Sequence, residues 1–429
     1  MLSRLRNMFR VPDLRNKLLF TLAIIALYRF GAHLPAPYLD WGKVQQAGVT
    51  SGPGGILDFF SGGALSNFAI FALGIQPYIT SSIIMQLLGV VIPRLERLQQ
   101  EGQAGQKKIT QWTRYMTVIL AVLQSTGIMY TLKNGGTNPL IGREIQPDTI
   151  IDFSMGRGLL IVLTFTVGTA MVMWFGELIT QRGVGQGMSI LIFAAVISAM
   201  PSQGKAILDG EGVIAFVSVL AIGIAMIVGI VYIESGQRRI PISFAKRVVG
   251  RRMMGGSSSY IPLKVNQSGV IPAIFATSIL SFPVLLAQII GNQGFEDWVR
   301  EHFGTGTGWT YIAALLVLIV AFSFFYNSIA FNPQQQSDII RKQGGFIPGI
   351  RPGPPTERYL QRIVNRITFP GSIYLAIIIA VPYLVIELFG IDNFPFGGTA
   401  MLIAVSVSLE TMRQIDSQLM MRNYEGFLR

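Results

Sequence analysis

GVIAFVSVLAIGIAMIVGIVYI, residues 212–233, holds 22 consecutive positions without a charge. As a helix it spans about 33 Å, enough to cross a hydrocarbon layer roughly 30 Å thick. Working outward, uncharged stretches recur at 59–93, 115–132, 158–176, 183–204, 265–295, 303–337, 367–386 and 393–409, and a first apolar run at about 18–37 is interrupted by Arg29. These stretches predict ten spans, at about 18–37, 74–93, 113–132, 156–176, 184–201, 213–233, 268–290, 310–331, 368–388 and 397–415. Composition agrees: 51% of the 429 residues are hydrophobic and 13% are charged, about half the share usual in a water-soluble domain. Arg4, Arg6, Arg10, Arg15 and Lys17 precede the first run, and no small-residue cleavage site follows a short apolar segment. That run is expected to be retained as a span.

The connections test the count. With the amino end inside, 27 of the 34 Lys and Arg fall on cytoplasmic segments, whereas 12 of the 22 acids fall on outer ones. The inside then carries about +17 and the outside about −6. Adding or dropping one span would invert every later loop and spoil this bias. The expected topology therefore has an even number of spans with both termini cytoplasmic.

Two cytoplasmic loops, 235–264 and 333–366, are basic and carry Gly and Pro at short intervals. Their charge serves as a topology determinant or as a docking surface for anionic lipid, RNA or an acidic partner. Ile240, Ile242 and Phe244 alternate with polar residues, which suggests a hairpin. On the outer side, 50–74 holds two apolar runs, 56–60 and 64–73, each too short to cross and separated by glycines. It reads as a re-entrant piece shielded inside the protein, or as an amphipathic helix on the outer surface.

Catalytic machinery is scarce. There is no cysteine, and His33 and His302 are the only histidines. H-E-x-x-H, G-x-S-x-G and P-loop motifs are absent, and no acid lies mid-span. Arg29 is the only clear charge within a span, expected to snorkel outward or, less simply, to pair in the bundle. Mild polarity remains inside: Thr80, Ser81, Ser82 and Gln86 in the second span, Gln124 in the third, Thr277, Ser278 and Gln288 in the seventh, and Ser323, Asn327 and Ser328 in the eighth. Such residues either glue helices together or line a seam that opens. Ile79 and Ile83 share one helical face, which suits a dewetting constriction.

Five stretches now carry a resemblance: ALGIQPYITSSIIMQLL (72–88), RGVGQGMSILIFAAVI (182–197), RRIPISFAKRVVGRRMMGGSSSYIPLKVN (238–266), QSGVIPAIFATSI (267–279) and FNPQQQSDIIRKQGGFIPGIRPGPPTERYL (331–360). Over essentially its whole length the chain resembles the SecY family of bacterial protein-export channel subunits. The resemblance implies an all-α polytopic membrane protein with ten transmembrane helices in two inverted, pseudo-symmetric halves of five, 1–206 and 207–429. It also implies a pore ring at Ile79, Ile83, Ile190, Ile274 and Ile403. A plug would lie at about 55–67, involving Gly55, Ile56, Leu57, Phe59, Phe60, Gly62, Gly63, Leu65 and Asn67. Family members often have arginine near Asn67, which is neutral here. The implied lateral gate lies between the second and third spans and the seventh and eighth, with Thr80, Gln86, Gln124 and Asn327 as polar candidates.

The resemblance assigns ribosome and motor docking to Arg238, Arg239, Lys246, Arg247, Arg251 and Arg252 in the first basic loop, and to Arg341, Lys342, Arg351 and Arg358 in the second. The implied partners are the SecE and SecG subunits, the SecA motor ATPase, the ribosome with its RNA, signal-bearing polypeptides and membrane lipids. The implied location is the bacterial plasma (inner) membrane. No catalytic residue, cofactor or metal is expected. The rival function is secondary transport of a small solute, against which stand the missing mid-membrane acids and the long loops.

Overall fold

The computed structural model describes residues 11–46, 61–138, 143–145, 147–210, 212–244, 247–249, 252–254, 258–290, 293–299, 302, 308–389 and 397–427. Among the described residues, ten long helices answer the ten expected spans. They are α1 (Pro12–Gly31), α2 (Gln76–Val91), α3 (Gln103–Asn134), α4 (Met155–Arg182), α5 (Gly187–Gly210), α6 (Gly212–Ser235), α7 (Ile271–Ile290), α8 (Trp309–Ala330), α9 (Pro354–Phe389) and α10 (Gly398–Phe427).

Their boundaries differ from the expected ones for local reasons. α1 starts on Pro12, whose missing N–H costs nothing at a first turn, and stops at Gly31, short of position 37. Pro35 instead pairs with Ala69 in an isolated bridge. α2 ends where Ile92 turns extended ahead of Pro93, and the chain bends by 106° into the short helix that follows, because a residue before proline avoids the helical region. α3 and α9 begin well before their apolar stretches, since leaving hydrocarbon does not end a helix.

The helices divide by how they meet lipid. Among the described residues, five helical stretches are long and apolar enough to cross by length and hydropathy alone, or six if the bent pair counts as one. α6 is such a helix, with Ile214 88% exposed, so its outer face is solvated by hydrocarbon. α5 is not, yet Ile190, Leu191, Ile192, Ala195 and Val196 on it are buried. Neighbouring helices cover much of it, although Ile197 and Leu208 remain exposed.

Two apolar cores run through the bundle. The first joins Ile24 and Tyr28 of α1, Ala64 and Phe71 of the following segment, Val172 of α4, Leu191 of α5, and Ile403 and Val407 of α10. The second joins α6, α7, α8 and α9 with Met401, Leu402 and Val405 of α10. α10 thus has a face in each. Position 206 lies within α5, and Ile207 packs in the second core.

Contacts also fix which ends coincide. Leu14 at the start of α1, Val184 at the α4–α5 turn and Ile415 of α10 cluster together. At the opposite end, Leu39 bridges Ile150, and Leu65 and Phe68 pack with Ile128 and Ile161. The first and last helices therefore meet at one end of the bundle.

The two basic loops lie at one sheet. β1 (Gln237–Phe244) pairs antiparallel with β2 (Ser258–Lys264), with Ile240 opposite Ile261. β3 (Gly345–Phe346) adds to the other edge of β1. Ile240, Ile242, Ile340, Ile347 and Leu360 form a shared core beneath, so the expected hairpin is present and its alternation is the reason for it. Glu234, at the end of α6, accepts from Asn266 Nδ2 at 3.2 Å.

Candidate functional site

Residues 62–75 form turns with no helix, and Leu65, Phe68, Ala69, Phe71 and Leu73 are buried. The outer-surface helix is thereby corrected for this stretch: it is irregular backbone shielded by protein. Irregular backbone leaves carbonyls without helical partners, and away from water these need donors. α1 supplies two. Tyr28 Oη donates to the Ser61 carbonyl at 3.1 Å, and Arg29 Nη1 donates to the Gly62 carbonyl at 2.9 Å. Arg29 therefore does not snorkel. It pairs in the bundle, donating to a backbone carbonyl of the turn segment.

Gly62 has φ +65°, and a Cβ there would stand 2.5 Å from Arg29 Nη1 and 3.1 Å from Ala195 Cα. Only glycine fits between α1 and α5 at this point. Gly63 is also left-handed, at φ +85°. Leu65 is buried, and Asn67 N–H donates to the Gly63 carbonyl at 3.3 Å. Gly55, Ile56, Leu57, Phe59 and Phe60 lie outside the described residues.

Four of the five isoleucines come together in one core, and Ile83 lies in a smaller cluster adjoining it. Ile190 and Ile403 are buried in the first core, and Ile79 and Ile274 pack against it from α2 and α7. Ile79 and Ile274 also flank a second, smaller cluster built on Ile83, Phe275 and Tyr326. Aliphatic side chains from α2, α5, α7 and α10 thus adjoin the segment after Ser61, whose Ala64, Ala69 and Phe71 share the first core.

That smaller cluster closes the seam between α2 and the α7–α8 pair. The Phe275 ring lies 5.3 Å from both Phe322 and Tyr326. The Tyr326 hydroxyl donates across the seam to Gln86 Oε1. Gln86 is among the polar positions singled out in the sequence, whereas Tyr326 is not. A tyrosine four residues after Phe322 on one helix face, inside an apolar span, was the available signal: such a hydroxyl needs an acceptor. Asn327 points elsewhere, donating to Thr368 Oγ1 on α9 at 2.7 Å. It ties α8 to α9 and does not reach α2. Thr80 is half-buried on α2. The Gln124 carbonyl oxygen on α3 is buried without a partner among the described residues. The α2–α3 contact is of another kind, with Ser81 Oγ donating to the Thr113 carbonyl at 2.9 Å.

On the sheet, Arg238 and Arg239 are exposed, the latter 4.9 Å over the Tyr260 ring. Arg247 and Arg252 stand in an antiparallel strand pair, while Lys246 and Arg251 lie outside the described residues. Arg341 pairs with Asp338 at 3.2 Å. Lys342, Arg351 and Arg358 are exposed. Thr356 Oγ1 donates to the Arg351 carbonyl at 2.9 Å, which holds the turn that presents Arg351. Because β3 joins β1, the two basic loops are neighbours in space.

Known proteins match this arrangement. The SecY family model matches residues 69–412. A protein translocase subunit SecY from Streptomyces galbus is 53% identical, over 100% of both chains. Among solved structures, one described as showing that the plug domain of SecY stabilises the closed translocation channel superposes with a TM-score of 0.60 at 18% identity, covering 94% of this chain and 91% of that one. An idle yeast Ssh1 complex bound to the 80S ribosome gives 0.61 at 14% identity, covering 93% and 89%.

Proposed function

Since the chain belongs to the SecY family, we propose that it is the protein-conducting subunit of a bacterial protein-export translocon. Unfolded secretory polypeptides pass between the two cores, and apolar segments leave sideways into lipid. The observation that carries this is the convergence of Ile79, Ile83, Ile190, Ile274 and Ile403 beside the buried, non-helical segment after Ser61. A ring of aliphatic side chains excludes water and ions without binding any particular substrate. That suits a cargo of varied sequence. In this reading the 55–67 stretch is the plug, and Arg29 and Tyr28 hold its described end by its carbonyls.

The halves divide at about 206/207, each carrying five helices. Gln86 and Tyr326 clasp the lateral gate, where one neutral hydrogen bond and an aromatic cluster break more cheaply than an ion pair. The sheet and its flanking loops dock the ribosome, through its RNA phosphates, and the SecA motor. Arginine forks suit both phosphate and carboxylate. SecE and SecG complete the complex. The chain lies in the bacterial plasma membrane with both termini cytoplasmic, in keeping with its charge bias. It acts as a passive conduit, not an enzyme.

The test uses proteoliposomes holding the chain with its small partner subunits, motor ATPase, ATP and an unfolded, signal-bearing substrate. ATP-dependent protection of the substrate from external protease is expected. No protection, with counterion-coupled uptake of a small solute instead, overturns the proposal.

A further inference from the structure

A cleft of ≈ 750 Å³ opens between α8 and α9, lined by Phe324 of α8 and by Arg358, Arg362, Arg366 and Phe369 of α9. The three arginines follow at four-residue intervals, so they share one helix face with about 6 Å of rise between neighbours. All three are exposed. None makes an ion pair or hydrogen bond to a described protein group. Glu357 is the single carboxylate in the lining. The cleft therefore holds a concentrated net positive charge, three guanidinium groups against one carboxylate.

Its position selects a ligand. The arginine row ends at Arg366, and the uncharged stretch 367–386 begins at the next residue. Phe369, 57% exposed, and Phe324, 37% exposed, form the apolar end of the cleft. Guanidinium groups above exposed phenyl rings, at the level where a helix enters hydrocarbon, match a phosphate above acyl chains. Forked guanidinium donors take phosphate oxygens in pairs, and basic pockets between membrane helices favour anionic headgroups. An acidic protein helix would satisfy the arginines but would leave the rings facing lipid uncovered.

We propose that this cleft binds an anionic phospholipid, with Arg358, Arg362 and Arg366 on its phosphate and Phe324 and Phe369 against the start of its chains. Phe324 is two residues from Tyr326, on the opposite face of α8. The bound lipid therefore sits behind the helix that closes the seam. This goes beyond the channel reading and does not depend on it.

The test reconstitutes the full chain with its partner subunits in mixed phosphatidylglycerol and phosphatidylcholine vesicles. The complex is extracted gently and retained lipids are counted by native mass spectrometry. The intact complex is expected to keep phosphatidylglycerol selectively. The R362Q/R366Q pair, which leaves the docking residue Arg358 in place, is expected to bind it roughly 30-fold more weakly, since each cation near the surface contributes roughly fivefold. The single R366Q variant, with roughly fivefold weakening, decides the matter if the pair does not purify. Equal retention by intact and variant complexes overturns the proposal. So does displacement of the lipid by inorganic phosphate, which would mark a free-anion site. So does a carboxylate cross-link from a lysine placed at 362 to an acidic partner helix with no lipid retained.

Discussion

α2 presents two unlike faces to its neighbours. Toward α3 it buries Ser81 completely and hydrogen-bonds it to the Thr113 backbone. Toward α7 and α8 it offers Ile83 and Gln86 to a ring of aromatic side chains. The first contact ties a side chain to main chain within one half. The second rests on side chains alone and joins the two halves. A backbone acceptor cannot rotate away, whereas a tyrosine and a glutamine can. Under the proposed gating, the second face is the one that parts and the first stays together.

Substitutions sharpen or break this contrast. Phe275 is 2% exposed and contacts Phe322 and Tyr326. Phe275→Ala is expected to weaken the closed seam by about 3 kcal/mol, on the order of 100-fold toward opening. Export of substrates with weakened signals, measured against substrates with intact ones, should rise selectively. If both stay unchanged, the aromatic cluster does not close the gate.

Arg29→Met should have the next largest effect, on the segment rather than the seam. Losing a charged donor to a part-buried carbonyl costs about 1.5–3 kcal/mol. Amide hydrogen exchange at Ala64 and Ala69 should accelerate by the corresponding factor, while exchange in α8 stays as before. Equal protection in both proteins would mean that Arg29 does not hold the Gly62 carbonyl.

Tyr326→Phe keeps the ring and removes the clasp. It should shift the seam by about 1 kcal/mol, a severalfold gain in export of weak-signal substrates with little change in thermal stability. Ser81→Ala is the matched control on the other face. It should lower thermal stability by a similar or smaller amount, about 0.5–1.5 kcal/mol, and leave signal discrimination alone. A reversal of these two outcomes would exchange the roles of the faces.

Much of this was legible beforehand. The ten helices follow from uncharged length, and the β1–β2 hairpin follows from the alternation of Ile240 and Ile242, both now buried. The clustering of the isoleucines rested on resemblance, since no periodicity in a single span states which other span it meets. Arg29 went astray because a snorkelling estimate weighs the cost of charge in lipid and knows nothing of the Gly62 carbonyl 33 residues away. The resemblance implies a gate position for Asn327, and its amide donates to Thr368 on α9, a partner that position within a single span does not give. Tyr326 escaped because aromatic residues in an apolar run look like bulk. Helix boundaries missed where water-facing turns prolong α3 and α9, since hydropathy marks the membrane and not the end of hydrogen bonding.

The absence of native cysteine permits a direct test of the central claim that the α2–α8 seam must open. Two full-length double variants are compared, Gln86→Cys with Tyr326→Cys, and Ser81→Cys with Thr113→Cys, each joined by a short reducible thiol cross-linker. Translocation into proteoliposomes is measured before and after reduction. Bridging 86 to 326 should block transport and reduction should restore it, while bridging 81 to 113 should leave transport intact. Transport that persists through a complete 86–326 bridge would contradict the account.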